Sequence, residues 1–255
     1  MKGKLFFVSF ARAARQNGPV IGAFLNALGI LLGSLLGLVR RQPVSARVQA
    51  QFKSALGALT AFCGLHLLWL NVGGSAGTVL KQLFLAGLAL VLGNLLGRLL
   101  ALQKISNYLG RRAAGLLAGT GAKPADGFVA VTILFCAAPL GLVGAVTDGL
   151  GNYFFPLALK AVMDGLAMTS FVKMFRWPVA LAAAPVFLFL NGLAVIVHAF
   201  VLPKLATPEL VHAINAAAGL LICSMTLVIL EVRRVELANY LPALFLAPIL
   251  SRFLA

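Results

Sequence analysis

Residues 133–171 read ILFCAAPLGLVGAVTDGLGNYFFPLALKAVMDGLAMTSF, and how this stretch is solvated decides the fold. Within it the word AVTDGL at 145–150 is nearly repeated as AVMDGL at 161–166, so two of the chain's six acidic residues lie in one apolar region, each followed by Gly-Leu. The surrounding sequence says which solvent they meet. The chain is 61% hydrophobic and 11% charged over 255 residues, against roughly 45–50% and 25% in ordinary soluble domains. Several segments run for about 20 residues almost without charge, the length that crosses a hydrocarbon core of about 30 Å. The alternation of an outer-membrane barrel is absent, so helices must satisfy the backbone.

The spacing predicts an all-α, polytopic transmembrane helical bundle of about eight segments, at 19–39, 52–71, 78–100, 127–147, 153–173, 178–202, 210–230 and 237–254. A basic extension, residues 1–17, precedes a single transmembrane domain over 18–255. The fifth segment carries Lys160 and Asp164 and reads as a broken or re-entrant segment as readily as a plain span, with Gly165 as the place of a break.

Net charge is +15, with Lys and Arg gathered in the connections. That pattern fits topology and contact with anionic lipids at a cytoplasmic face, and no basic stripe interleaved with aromatics supports nucleic-acid binding. Arg40, Arg41, Arg47 and Lys53 flank one connection, and Arg98, Lys104, Arg111, Arg112 and Lys123 another. Lys173 and Arg176 mark a third, Arg233 and Arg234 a fourth, while the intervening connections hold little beyond Lys81 and Lys204. If the fifth segment crosses, all four basic connections share one side, which the positive-inside rule makes cytoplasmic.

Three word matches point to duplication. Phe24-Leu-Asn-Ala-Leu28 recurs as Phe189-Leu-Asn-Gly-Leu193, each followed by a Pro-containing connection (Pro43; Pro208), and Leu83-Phe-Leu-Ala86 recurs as Leu244-Phe-Leu-Ala247. They divide the domain into repeat 1 (19–100), a central pair (127–173) and repeat 2 (178–254). With the fifth segment crossing, the three-helix repeats are inverted, as in many secondary transporters whose sites lie near the midplane. Gly29, Gly33 and Gly37 form overlapping GxxxG patterns, as do Gly93 and Gly97. Such stripes let helices approach closely, first within the chain and second as the face of a homo-oligomer.

The 133–171 run, together with GAFLNALGILLGSLLG near the start and VELANYLPALFLAP near the end, resembles the YdfK/YqgA-like family of bacterial multi-spanning membrane proteins, a domain-of-unknown-function family. Its specific elements are the LFC start, the two DG dipeptides with Lys160 between them, and the N-x-LPAL ending. Where the family pattern has Gly and Met after the Cys, this chain has Ala138 and Pro139, which bears on whether that helix bends. The resemblance implies a multi-pass protein of the bacterial plasma (inner) membrane and supplies no substrate.

A charge near the bilayer centre is costly, so an intramembrane carboxylate faces an interior and marks a path for ion or substrate. Asp164 is the principal candidate, with Lys160 four residues before it on the same helix face. Asp148 is the second carboxylate, its competing reading being a solvated turn residue before Gly149 and Gly151. Asn26 and Asn191, at matching places in the repeats, complete the set. The plain alternatives are a buried salt bridge that only permits insertion, and interhelical hydrogen bonds of the two amides. The reading is a transporter of a small solute or ion, coupled to Na+ or H+ through Asp164, with an oligomeric channel and a non-transporting assembly protein as alternatives. No cofactor is implied: Cys63, Cys136 and Cys223 are isolated, and His66 and His198 are lone residues. Without HExxH, GxSxG or an equivalent constellation an enzyme is not expected.

Overall fold

The computed structural model describes residues 21–39, 45–118, 123–205, 207–233 and 235–254. The basic extension 1–17, Arg40, Arg41, Pro43 and Arg234 lie outside these. The described residues contain helices and no strand. They are α1 (Ile21–Val39), α2 (Ala46–Asn71), α3 (Ala76–Leu99), α4 (Leu102–Ala118), α5 (Pro124–Ala137), α6 (Pro139–Gly151), α7 (Phe155–Phe175), α8 (Ala183–Ile196), α9 (Pro208–Ile229) and α10 (Ala243–Leu254). Among the described residues six helical stretches are long and apolar enough to cross a membrane, and the pair α5 and α6 makes a seventh if taken as one span. Residues 237–253 are a shorter apolar stretch, a 3-10 turn (Leu237–Tyr240) leading into α10.

Of the two readings of the fifth segment, a plain span and a broken or re-entrant one, the structure shows the continuous helix. α7 runs through Gly165 without interruption, because its amides and carbonyls keep their ladder and Gly165 serves a different purpose, described below. The discontinuity is in the fourth segment, where α5 and α6 meet at 56° across an extended Ala138. Pro139 has no N–H to give the carbonyl of Phe135 and its ring opposes the preceding turn, so the helix stops and restarts. The bend in the fourth segment thus lies at Ala138-Pro139. A second irregularity lies in the sixth segment, where α8 is preceded by a 3-10 turn (Trp177–Ala182) and followed by a π turn (Val197–Val201).

One helix was read in the sequence as a connection. α4 carries Lys104, Arg111 and Arg112 on its exposed side, with Ala113 buried and Leu117 packed on the core beside Val131. It is amphipathic rather than spanning, and its charges hid its helicity.

Close approaches at glycine fix the directions in which helices run. Gly22 meets Leu157, and from there Gly29 meets Ala161, Gly33 meets Gly165 and Gly37 meets Thr169, so α1 and α7 run parallel, the last three contacts advancing four residues at a time. Gly141 lies by Leu190 and Gly149 by Ala194, so α6 and α8 are also parallel. Gly141 lies against Lys160 and Gly144 against Leu157, which makes the α6–α7 hairpin antiparallel, and α1 is therefore antiparallel to α8. By the same register α2 opposes α9 (Gly64 on Gly219 and Cys223, Gly57 on Leu230), and α3 opposes α10 and its lead-in turn (Gly93 on Ala243, Gly97 on Asn239). The GxxxG stripes of α1 and α3 are filled by α7 and by the 239–243 region of the same chain.

The basic residues gather at one end of this bundle. Lys53 pairs with Glu231 at 2.5 Å, Lys53 and Lys173 line one cavity, Arg98 reaches Glu236 at 4.0 Å, and Gly127, near Lys123, packs on Phe175. Glu231 and Glu236 sit at segment ends, as their sequence positions imply. Asp126 Oδ2 accepts from the Lys123 amide at 3.0 Å and caps the start of α5. Trp69 (81% exposed) and Trp177 (61%) project from near helix ends, as aromatic-belt residues do.

Candidate functional site

Asp164 lies near the midpoint of α7, 6% exposed, and Lys160 one turn earlier is 1% exposed. The i,i+4 spacing puts both on one face, and the Lys160 ammonium donates to Asp164 Oδ2. The same oxygen accepts from Asn26 Nδ2 on α1 at 2.9 Å. Asn26 is fully buried, and its Oδ1 has no partner. The Lys160 Nζ also stands 5.2 Å from the ring centre of Phe135, within reach of a cation–π attraction. Phe135 lies in the last turn of α5 and Gly141 in the first turn of α6, where a Cβ would come within 2.7 Å of Lys160 Cε. The ammonium is therefore held at the break between α5 and α6. Three elements from distant parts of the chain converge on one buried ion pair.

Asp148 is elsewhere, and it is not solvated. It is 1% exposed, and its Oδ2 accepts from the Gly22 amide at 3.3 Å in the first turn of α1. Helix N-termini leave amides unsatisfied and carry partial positive charge, so a buried carboxylate is well placed there. The solvated-turn reading fails because the chain turns after Asp148, at Asn152 in the left-handed conformation (φ 55°), and Asp148 itself points inward at α1.

Asn191 makes no hydrogen bond to Asp164 or Lys160, and its buried Oδ1 lacks a partner. The structure thus brings together Asn26, Lys160 and Asp164, and leaves Asp148 and Asn191 outside that cluster.

The two DGL words nonetheless do the same local work. Gly165 backs onto the carbonyl of Gly29, where a Cβ would stand 2.7 Å away, and Gly149 backs onto the carbonyl of Ala194, where it would stand 2.5 Å away. When FLNAL of α1 is laid on FLNGL of α8, Gly29 and Ala194 occupy the same place. One turn further on, Gly33 packs on Gly165, and its counterpart His198 holds the carbonyl of Gly149 through Nδ1 at 3.2 Å. Each Asp-Gly therefore aims a carboxylate inward from a helix pressed backbone-to-backbone on its neighbour.

Two further polar clusters link helices, while Asn94 Oδ1, Asn215 Oδ1 and Thr226 Oγ1 are buried without a hydrogen-bond partner among the described residues. His66 Nδ1 lies 3.2 Å from the Tyr153 hydroxyl, which donates to the Cys63 carbonyl at 2.8 Å, and the ring stacks on Phe62 at 5.7 Å. Asn71 Oδ1 accepts from Asn215 Nδ2 at 3.1 Å and lies 2.9 Å from His212 Nδ1, a link between α2 and α9 that the sequence reading missed. Among the described residues no group of His, Cys, Asp and Glu could hold a metal, and the three cysteines are unbridged.

A cavity of about 410 Å3 opens at the basic end between α2, α7 and the end of α9. Met163, Leu166 and Ala167 form its floor on α7, beside Asp164 in sequence but on another face. None of the described cavities is lined by Asp164, Lys160 or Asn26.

Relatives place the chain. It is 30% identical to "Uncharacterized protein YqgA" of Escherichia coli (strain K12) over 237 residues, covering 91% of this chain and 96% of the relative. It is 25% identical to "Uncharacterized membrane protein YdfK" of Bacillus subtilis (strain 168) over 230 residues, 90% of this chain and 95% of that one. No solved structure matches. The family described as "Protein of unknown function (DUF554)" matches residues 21–252, and the chain, a multi-spanning membrane protein, belongs to it.

Proposed function

We propose that this protein is a secondary transporter of inverted-repeat type, carrying a small solute or ion with coupling to Na+ or H+ across the bacterial plasma membrane, and that it is not an enzyme. The observation that carries the reading is the buried Asn26–Lys160–Asp164 cluster near the middle of a spanning helix, set against the break between α5 and α6. Intramembrane charges are expensive, and a pair serving insertion alone needs neither a third polar partner from another helix nor a broken helix beside it. The antiparallel pairing of α1 with α8, α2 with α9 and α3 with α10, and the matched Gly165–Gly29 and Gly149–Ala194 contacts, support the inverted relation. The basic end is then cytoplasmic.

The pair is neutral, so a ligand of either sign engages one member and releases the other. A cation or proton on the Asp164 carboxylate frees Lys160, and an anion on Lys160 frees the carboxylate. The Asn26 Oδ1, buried and unpartnered, and the Phe135 carbonyl, deprived of an amide by Pro139, are oxygen ligands of the kind helix breaks supply. The cluster is enclosed, which favours a carrier that alternates over an open channel. The packing of the α1 stripe on α7 of the same chain favours transport over the assembly-protein reading.

The test is flux. Proteoliposomes loaded with pH- and Na+-sensitive dyes are challenged with a panel of small organic anions, cations and zwitterions under imposed H+ and Na+ gradients. Saturable, solute-dependent ion entry, lost in the charge-free Lys160→Met/Asp164→Asn double variant, is expected. Entry that rises linearly without saturation supports a channel, and no entry under any gradient removes transport.

A further inference from the structure

A smaller cleft, about 250 Å3, lies at the end opposite the basic one, where α2 ends, α3 and α9 begin and α10 finishes. Lys81 and Gln82 line it from α3, and Glu209 and His212 from α9. Its buried lining is made of small side chains, Ala86, Ala216 and Ala247, each no more than 3% exposed. The volume falls below the roughly 300–1,000 Å3 of drug-sized sites, so a ligand here is only a few carbons long.

The two walls differ in hydrogen-bonding character. Lys81 has no hydrogen-bond or ion-pair partner among the described residues, and it forms no ion pair with Glu209 although both line the cleft. Gln82 Oε1 accepts from the Gly73 amide at 3.0 Å, which leaves the NH2 as the unengaged end of its side chain. The α3 wall therefore offers donors. On α9, the Glu209 carboxylate accepts from the Thr207 side chain and keeps further lone pairs. The tautomer of His212 follows from its neighbour. Asn71 Nδ2 donates to the Leu67 carbonyl at 2.8 Å, so Asn71 Oδ1 is an acceptor, and His212 Nδ1, 2.9 Å from it, must carry the proton. In the neutral ring Nε2 is then an acceptor. The α9 wall offers acceptors.

A ligand that meets both walls has an oxyanion on one side and a protonated amine on the other. An anion alone would face Glu209 unpaired, and a cation alone would face Lys81. We infer that this cleft binds a small zwitterion of the α-amino-acid type, its carboxylate on Lys81 and Gln82, its ammonium on Glu209 and His212, and a short aliphatic side chain on the alanines. A phosphoethanolamine lipid headgroup carries the same pair of charges, but a cleft of this volume suits a molecule of amino-acid size. The inference stands independently of ion coupling, since no member of the Asp164 cluster lines the cleft.

The experiment measures binding of tritiated L-valine to purified protein in detergent, without flux, against unlabelled competitors. L-alanine, L-valine and L-leucine should compete. Isovalerate, which is valine without its amine, and isobutylamine, which is valine without its carboxylate, should each compete about tenfold less well, the worth of one charge-assisted hydrogen bond at an open mouth. Lys81→Gln and Glu209→Gln should each weaken L-valine about tenfold. Glu209→Gln should also erase the advantage of L-valine over isovalerate, and Lys81→Gln its advantage over isobutylamine, a crossed pattern that general loss of structure would not produce. Both side chains are exposed, so the variants should melt as wild type without ligand. Lys204→Gln, exposed at the same end but outside the cleft, should leave binding unchanged. No binding of the three amino acids, competition by isovalerate or isobutylamine equal to that of L-valine, or equal loss in Lys204→Gln overturns the site. Stabilisation by phosphatidylethanolamine with no response to the amino acids would make a lipid headgroup the occupant and overturn the free amino acid.

Discussion

Replacing Gly33 by alanine should separate α1 from α7, and the structure says by how much. A methyl group at Gly33 would lie 2.6 Å from both the Cα and the carbonyl carbon of Gly165. Carbon atoms in contact stand about 3.5–4.0 Å apart, so the helices must part by about 1 Å there. The obstructing atoms are backbone, which no rotamer change can clear. Neighbouring contacts at Gly29 and Gly37 share the shift because the stripe is in register. Overpacking of this kind costs about 1–3 kcal/mol, and rigid backbone puts Gly33 at the upper end. Alanine recovers up to about 1 kcal/mol of helix propensity, leaving a net loss of about 2 kcal/mol. Gly192 provides the internal control: it lies in α8 with nothing within 4 Å of an added Cβ, and its counterpart in the first repeat word is already Ala27. Gly192→Ala should therefore gain about 0.5–1 kcal/mol. Thermal melting of the two purified variants in one detergent should separate them by about 5–12 °C at roughly 2–4 °C per kcal/mol for a chain of this size. A Gly33→Ala protein that melts at or above Gly192→Ala would refute the account of the stripe as a filled internal interface.

Other consequences follow from the ion pair and its surroundings. Asp164→Asn leaves the buried Lys160 ammonium without its counterion and should cost about 3–5 kcal/mol, whereas Lys160→Met/Asp164→Asn should recover most of that, measured by denaturation in detergent. Asn26→Ala removes one donor from the carboxylate and should cost about 1–3 kcal/mol, read in the same way. Asp148→Asn, by weakening the carboxylate at the start of α1, should cost about 0.5–2 kcal/mol while leaving solute-dependent flux intact; loss of flux with a normal melting curve would return Asp148 to the site. Single cysteines placed at Lys123 and Arg233 should resist an impermeant maleimide added outside intact cells, and one at Lys81 should react; the opposite pattern would invert the orientation.

The spans, the Lys160–Asp164 pair and the internal use of the glycine stripes could be read from local spacing, because hydrophobic length and i,i+4 geometry are short-range properties. The partners of the carboxylates could not be read so. Asn26 meets Asp164 and Gly22 meets Asp148 only through α1 packing on α6 and α7, and nothing local in the sequence reports that packing. α4 was missed because Lys104, Arg111 and Arg112 masked an amphipathic period. The charges of the fifth segment leave a break there open, whereas Pro139 in the middle of the preceding span is the direct physical signal. The glycines after the two aspartates read as turns or breaks, yet each sits inside a helix, where it admits a neighbouring carbonyl.

The central claim is that the Asp164 cluster binds a ligand. It is tested most directly by thermal melting of wild type and Lys160→Met/Asp164→Asn across Na+, K+, pH and small organic anions. Binding to the native state alone raises stability by about 2.7 kcal/mol at a hundredfold excess over Kd. The account predicts such a rise for at least one ligand in wild type and its absence in the double variant. Identical curves in every condition, with the variant folded, would contradict it.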